Sequence, residues 1–305
     1  MEYWFLIALI PPILFAINNV IDQFVARDYF ADSVLAFLCL GGFINLAILP
    51  FFLFFWPEAL GATLPQKLWL ILSGIAYMTA CYPYIKALQE DDASYAVPLF
   101  QTVPVFVLIL GWIFLHEILT KEQLIASAII LIGSVGIVWD FSLKIAKKRL
   151  YLLMILSSFL FAVNLTLLRY GAVETSWLTT LFWLMTGWAL FGVLLFIFSS
   201  KTRNIVLSTI KKTKGKVIAF SLIQESCDIL ASAMLTFAMS VAPAGAILMF
   251  VVNGLQPFAL IVLSGILGLF FPRIFEAIKF DKTLLQKLFS TGIMIVGLYI
   301  LLHAT

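Results

Sequence analysis

Long apolar runs, each broken by a short polar or proline-containing stretch, make up almost the whole chain. A helix needs about 20 mostly apolar residues to cross the hydrocarbon core of a bilayer. Ten runs reach that length, at 3–26, 33–56, 67–88, 93–116, 121–140, 149–170, 176–199, 216–240, 244–271 and 284–303. Charged or helix-breaking residues separate them: Ala26-Arg27-Asp28, Trp56-Pro57-Glu58, Gln89-Glu90-Asp91-Asp92, His116-Glu117, the basic stretch Lys144–Arg149, and Ala242-Pro243. Ser199–Gly215 is expected to be the longest polar loop, and Arg273–Lys282 a link able to form an interfacial helix. Met1-Glu2 offers no basic leader region, so the first run is expected to be a transmembrane helix and not a cleaved signal.

Composition agrees with this pattern. The 305 residues are 63% hydrophobic and 11% charged, with a mean hydropathy of +1.09, which places the chain among polytopic membrane proteins. The gaps between runs are too short to hold a soluble domain, and neither a nucleic-acid partner nor a cofactor is expected. Cys39, Cys81 and Cys227 lie scattered in apolar runs, with no CxxC spacing to suggest a metal or redox centre. The net charge of +3 matters less than its distribution, because 16 of the 19 Lys and Arg residues fall on the side that holds the loops after odd-numbered runs. Cytoplasmic loops carry an excess of Lys and Arg, so the expectation is odd loops inside and both termini outside.

The runs repeat. Leu14-Phe15-Ala16-Ile17-Asn18 returns as Leu160-Phe161-Ala162-Val163-Asn164, Pro104 pairs with Pro257, and Gly133 with Gly297. Each half holds five runs. Because five is odd, the second half enters the membrane upside down relative to the first, a design that lets two halves exchange inward- and outward-open shapes. The expected fold is all-α and integral to the membrane. It has ten helices in two inverted five-helix repeats around a central cavity, with residues 1–143 as the first repeat, 144–149 as a basic linker and 150–305 as the second repeat.

The stretch Ala87-Leu88, Ala93-Ser94-Tyr95-Ala96-Val97-Pro98-Leu99, Val103-Pro104-Val105-Phe106, His116-Glu117, Gln123 and Leu131-Ile132-Gly133 resembles the drug/metabolite transporter superfamily, in its ten-helix EamA-like branch. The resemblance implies a small-solute carrier with a cavity between its halves. It also implies termini on the inside, against the charge rule. The second half departs from the pattern, with Phe270-Phe271-Pro272 where an acid matching Glu117 would stand.

The costliest residues in the chain are Glu225 and Asp228, three apart near the middle of the eighth run and hence on one helical face. A charge at the centre of a membrane helix costs about 2.5–3.5 kcal/mol on insertion scales. Two carboxylates in one low-dielectric site can hold a cation, a proton, or each in alternation. They can also serve only to lock helices through Arg169 or Lys86. Asn18 and Asn164 occupy matching places, suited to binding a substrate or to bonding across helices. Asp22 continues the polar run but lies nearer the interface. Tyr77, Cys81 and Tyr84 form a stripe on the third run, with Tyr77 matching Asp228. That stripe fits a cation or aromatic partner as well as plain packing. Gln101 beside Pro104, and Asn253 and Gln256 beside Pro257, sit where prolines free carbonyls that can line a cavity. Trp183 and Trp188 fall inside the seventh run, away from the interfacial belts. His116-Glu117 lacks the second histidine of a zinc HExxH site and is read as a helix-end polar pair.

These features together suggest a secondary transporter in a bacterial inner (plasma) membrane. The expected partners are a small cationic or zwitterionic solute, protons acting through Glu225 and Asp228, and the lipid bilayer; the oligomeric state is open. A lipid translocase is the alternative. An intramembrane enzyme fits less well, since no nucleotide loop, GxSxG or paired-histidine motif is present.

Overall fold

The computed structural model describes residues 3–31, 33–90, 100, 102–138, 148–242, 244–270 and 282–304, and all regular structure among them is helical. The helices are α1 (Tyr3–Ala8), α2 (Ile10–Asp28), α3 (Val34–Phe55), α4 (Leu64–Glu90), α5 (Val103–Leu110, extended to Leu115 by a wider turn), α6 (Lys121–Val138), α7 (Lys148–Glu174), α8 (Trp177–Phe198), α9 (Ser200–Lys212), α10 (Lys216–Val241), α11 (Gly245–Phe270) and α12 (Lys282–His303). Six spans among the described residues are long and apolar enough to cross a bilayer: Phe5–Ala26, Val34–Phe55, Leu64–Ala87, Arg149–Ala172, Trp177–Phe198 and Lys216–Val241.

The helices pack in a bundle whose polar stripes face inward. α4 lies along α7 and α8, α3 along α8, α2 along α10 and α11, and α6 along α12. Along α10 the buried positions Ser221, Gln224, Glu225, Asp228, Ala231, Ser232 and Leu235 recur every three or four residues, while Leu222, Ile223 and Leu230 are exposed. A helix with its polar stripe inward and its apolar side outward suits a bilayer, where lipid takes the place of water. At the α6–α12 crossing a Cβ on Gly133 would meet Ser290 O and Met294, and one on Gly297 would meet Ile130 N and Ala126 O. Gly133 and Gly297, matched only in sequence, thus serve one close contact between α6 and α12, the small-residue packing that lets membrane helices touch.

Three sequence expectations change. The first run breaks at Leu9, where Pro11 and Pro12 open α2 in its first turn, because proline lacks the N–H an interior helical position needs. Most of the expected loop Ser199–Gly215 is the helix α9. Ser199 caps it by accepting from Thr202 N at 3.2 Å, Thr202 and Val206 are buried, and its basic residues point elsewhere. The sequence is polar on average, and that average conceals a one-sided apolar pattern. Lys148 and Arg149, assigned to the linker, already belong to α7. The link at 273–281 lies outside the described residues.

Candidate functional site

A cavity lies between the helices that carry the singled-out residues. It holds about 870 Å³ of empty space, counting the part open to solvent, and is continuous in its lining with a smaller chamber of about 380 Å³. α2 contributes Phe15, Asn18, Asn19 and Asp22, all on one face by helical spacing. α4 contributes the stripe Tyr77, Cys81 and Tyr84; α7 contributes Phe161 and Asn164; α8 contributes Trp188; and α11 contributes Gln256. Glu225 and Asp228 line the smaller chamber with Asn18, Asp22, Tyr77 and Gln224.

The two α10 acids are held differently. Tyr77 OH donates to Asp228 at 3.0 Å from Oδ1 and 2.9 Å from Oδ2. The Tyr77 ring is itself fixed, with its centroid 5.0 Å from that of Trp188 and 5.5 Å from that of Phe161. Asn45 Nδ2 donates to Glu225 Oε2 at 2.6 Å and also to Gly41 O at 3.0 Å. Glu225 Oε1 lies against α3 at Gly41, in the place a Cβ there would occupy, so glycine is what admits the carboxylate. Both acids are almost wholly buried.

Not every expected site residue enters the cavity in the same way. Asn164 lines it but spends its amide on structure, with Nδ2 donating to Ser73 O and Ser73 Oγ, each at 2.9 Å. Its repeat counterpart Asn18 has an unpartnered, buried Oδ1. Trp183 lies away from the cavity: its Nε1 donates to Ala59 O at 2.8 Å, and Lys67 Nζ sits 5.2 Å from the ring centre. Trp188, one and a half turns further on, takes the place in the cavity wall. Gln101 and the Asn253 side chain lie outside the described residues. Pro257 is inside α11, whereas Pro104 stands in the first turn of α5 as described, where it breaks no helical bond.

Three residues assigned no role from sequence are part of the site. Asp22 lines both chambers. Gln224 stands beside Glu225 in the same polar stretch, and Asn45 sits between apolar neighbours, yet a buried amide in a membrane run is itself the signal that finds it.

At one end of the bundle Arg169 Nε pairs with Glu117 Oε1 at 2.8 Å. Arg169 also donates to Met239 O and, at 2.9 Å, to Ala242 O, while Gly245 N donates to Glu117 Oε2 at 2.8 Å. Of the helix-end pair His116-Glu117, Glu117 thus takes Arg169, which the sequence offered to Glu225 or Asp228, and the two form a clamp joining the ends of α5, α7 and α10 to the start of α11. His116 beside it takes the left-handed conformation that ends α5.

Residues 2–139 match the model of the EamA-like transporter family, a member of the drug/metabolite transporter superfamily. The likeness read from single motifs is thus recovered over the first half of the chain. No curated protein matches the chain. A solved crystal structure shares its fold, with a TM-score of 0.65 over 98% of this chain and 95% of that one, at 14% identity. With its apolar spans, the chain is an integral, multi-pass membrane protein carrying a transporter-family signature.

Proposed function

We propose that this chain, EamA-like across residues 2–139, is a ten-helix secondary transporter. In this reading it moves a small cationic solute across a bacterial inner membrane by alternating access, with protons carried at Glu225 and Asp228. The observation that carries the proposal is the set of three carboxylates, Asp22, Glu225 and Asp228, around one small chamber. Among its described lining residues there is no Lys or Arg to neutralise them. Buried acids without a fixed counter-ion are stable when they bind a proton or a mobile cation. Competition between the two for one site couples solute movement to the proton gradient.

The inverted repeat fits the packing. α4 lies on α7 as α10 lies on α2, and the matched α3 and α8 pack on each other, as do α6 and α12. Under that symmetry the cavity sits on the two-fold axis, where a rocking motion of the halves exposes it first to one side and then to the other.

The test is reconstitution into liposomes with a pH dye inside. A solute found by thermal-shift screening of amines, amino acids, nucleosides and sugar phosphates should move and drive protons the other way. Glu225→Gln or Asp228→Asn should abolish the movement or leave it uncoupled. Normal transport by both neutral variants would remove these acids from the mechanism, and selective stabilisation by an anion would overturn the cation reading.

A further inference from the structure

The two halves complete equivalent contacts in opposite ways. Ser73 stands one turn before Tyr77, and Gln224 one turn before Asp228, the position matched to Tyr77 by the repeat. At one of these contacts Ser73 of the first half and Asn164 of the second satisfy each other, for the Ser73 hydroxyl also donates to Asn164 O at 3.1 Å. At the other, where Asn18 of the first half and Gln224 of the second hold the matching places, neither Asn18 Oδ1 nor Gln224 Oε1 has a partner. Asn18 is 5% exposed and Gln224 6%. Asp22, one turn beyond Asn18 on the same face of α2, has an unpartnered buried Oδ1 as well. An orphaned buried acceptor has lost its bond to water without a replacement and is destabilising. Three such acceptors around one chamber, beside the Asp228 carboxylate, call for a donor from outside the chain.

The chemistry of that donor follows from what surrounds it. The oxygens need several N–H groups and one positive charge, which a primary ammonium supplies through three donors directed from one atom. A quaternary ammonium carries the charge but no N–H and leaves the oxygens unpaired. An amino acid brings the ammonium with a carboxylate, which would add a further anion where no Lys or Arg is found among the described lining residues. The larger chamber continues from the acceptor recess and is walled by Phe15, Tyr84, Phe100, Phe161 and Trp188, a surface for an apolar or aromatic body.

Resting on the reading of this cavity as the transport site, we propose that Asp22 and the free oxygens of Asn18 and Gln224 form a primary-ammonium subsite. The solute is then a primary amine with an apolar or aromatic body, and neither an amino acid nor a quaternary cation. Asp22 is a specificity residue that touches solute, distinct from Glu225, which α3 holds at Asn45 and Gly41.

Three probes share one aromatic body and differ in the head: 2-phenylethylamine, its N,N,N-trimethyl derivative, and phenylalanine. Binding to the purified full chain in detergent is measured by calorimetry, and counterflow of each is measured in liposomes. 2-Phenylethylamine should bind and exchange, and the other two should bind at least tenfold more weakly. Asp22→Asn should weaken 2-phenylethylamine at least tenfold, with the fold checked by thermal melting. Asn18→Leu, which removes an acceptor without touching the acids, should narrow the gap between the amine and its trimethyl derivative. Equal binding of amine and trimethyl derivative, or no binding of the amine at millimolar concentration, overturns the subsite. Counterflow of phenylalanine that is stopped by Glu225→Gln would overturn the subsite while leaving the transporter standing. An absence of counterflow for all three probes and for the screened solute panel would remove both.

Discussion

The Tyr77 hydroxyl and the Asp228 carboxylate meet between α4 and α10, 2.9 Å and 3.0 Å from the two carboxylate oxygens. The sequence repeat pairs these same two positions, and in the proposed inverted arrangement equivalent positions come face to face near the two-fold axis. The two halves therefore contribute unlike residues to one central contact, a donor from the first and an acceptor from the second. Tyr77→Phe keeps the ring that packs on Trp188 and Phe161 but removes the donor. A hydrogen bond to a charged group is worth about 1.5–3 kcal/mol, or roughly ten- to a hundredfold in an equilibrium. The expected result is a change of that size in solute affinity or proton coupling in reconstituted vesicles, with the melting temperature nearly unchanged. A wild-type transport profile would make the contact a matter of packing.

Gly41 gives a way to displace Glu225 without removing it. A methyl group there would take the space of Glu225 Oε1, the end of a flexible side chain that can move aside. Gly41→Ala should therefore keep the fold and disturb proton coupling. The neighbouring Gly42→Ala behaves oppositely, because its Cβ would press on the Gly192 backbone across the α3–α8 crossing. Overpacking a rigid contact costs about 1–3 kcal/mol. Thermal melts and proton-flux measurements on the two variants should separate, with Gly41→Ala losing coupling and Gly42→Ala losing stability. If Gly41→Ala couples normally, the Glu225 position is not important for the proton.

The extent to which the chain could be understood from its sequence follows from what each signal measures. Run length measures membrane-crossing capacity, so α3, α4, α6, α7, α8, α10, α11 and α12 lie within a few residues of their expected ends, while the start expected for the fourth run lies outside the described residues. A charge in an apolar run measures cost, so Glu225 and Asp228 stood out at once, and the structure places them at the cavity. Neighbour relations across helices leave no such trace. Asn18 and Asn164 look alike in the sequence, and only the presence of Ser73 beside one and Gln224 beside the other separates a locked amide from an open one. Trp183 and Trp188 differ by five positions, which turns them to different sides of α8. Asp22 looked peripheral by its distance from the middle of its run. It shares a helical face with Asn18, and that face, which a distance along the run does not report, lines both chambers.

The clamp between Arg169 and Glu117 joins the two halves of the chain at one end, one residue beyond Leu168 in the cavity wall. Removing one partner of a nearly buried pair costs about 3–5 kcal/mol, because the other charge is left without compensation. If the clamp closes that end, Arg169→Gln should favour the state open there. A cysteine placed at Leu168, in a chain whose Cys39, Cys81 and Cys227 are replaced by alanine, reports this through a membrane-impermeant thiol reagent. Modification from that face should be at least tenfold faster with Arg169→Gln than with Arg169 intact. Equal rates would make the clamp a static brace.

Orientation decides which face that is. The start of α6 and the chain end lie together, since Gln123 Nε2 donates to Ala304 O at 3.3 Å, and the Arg169–Glu117 clamp belongs to this same end. The sequence assigns 16 of the 19 basic residues to the opposite end, where α9 packs its Thr202 and Val206 inward and leaves Lys201, Lys211 and Lys212 exposed. The attraction of Lys and Arg to the cytoplasmic side puts that end inside and the clamp outside. The EamA-like resemblance implies the reverse, with the termini inside. A green fluorescent protein fused after Thr305 folds only in the cytoplasm, and alkaline phosphatase at the same place is active only outside it. The charge distribution predicts a dark fluorescent fusion and an active phosphatase fusion, with the Leu168 cysteine reached from outside the cell. A bright fluorescent fusion with an inactive phosphatase would put the basic end outside and make the clamp an inner closure, a result that would show the family arrangement overriding the charge rule in this chain.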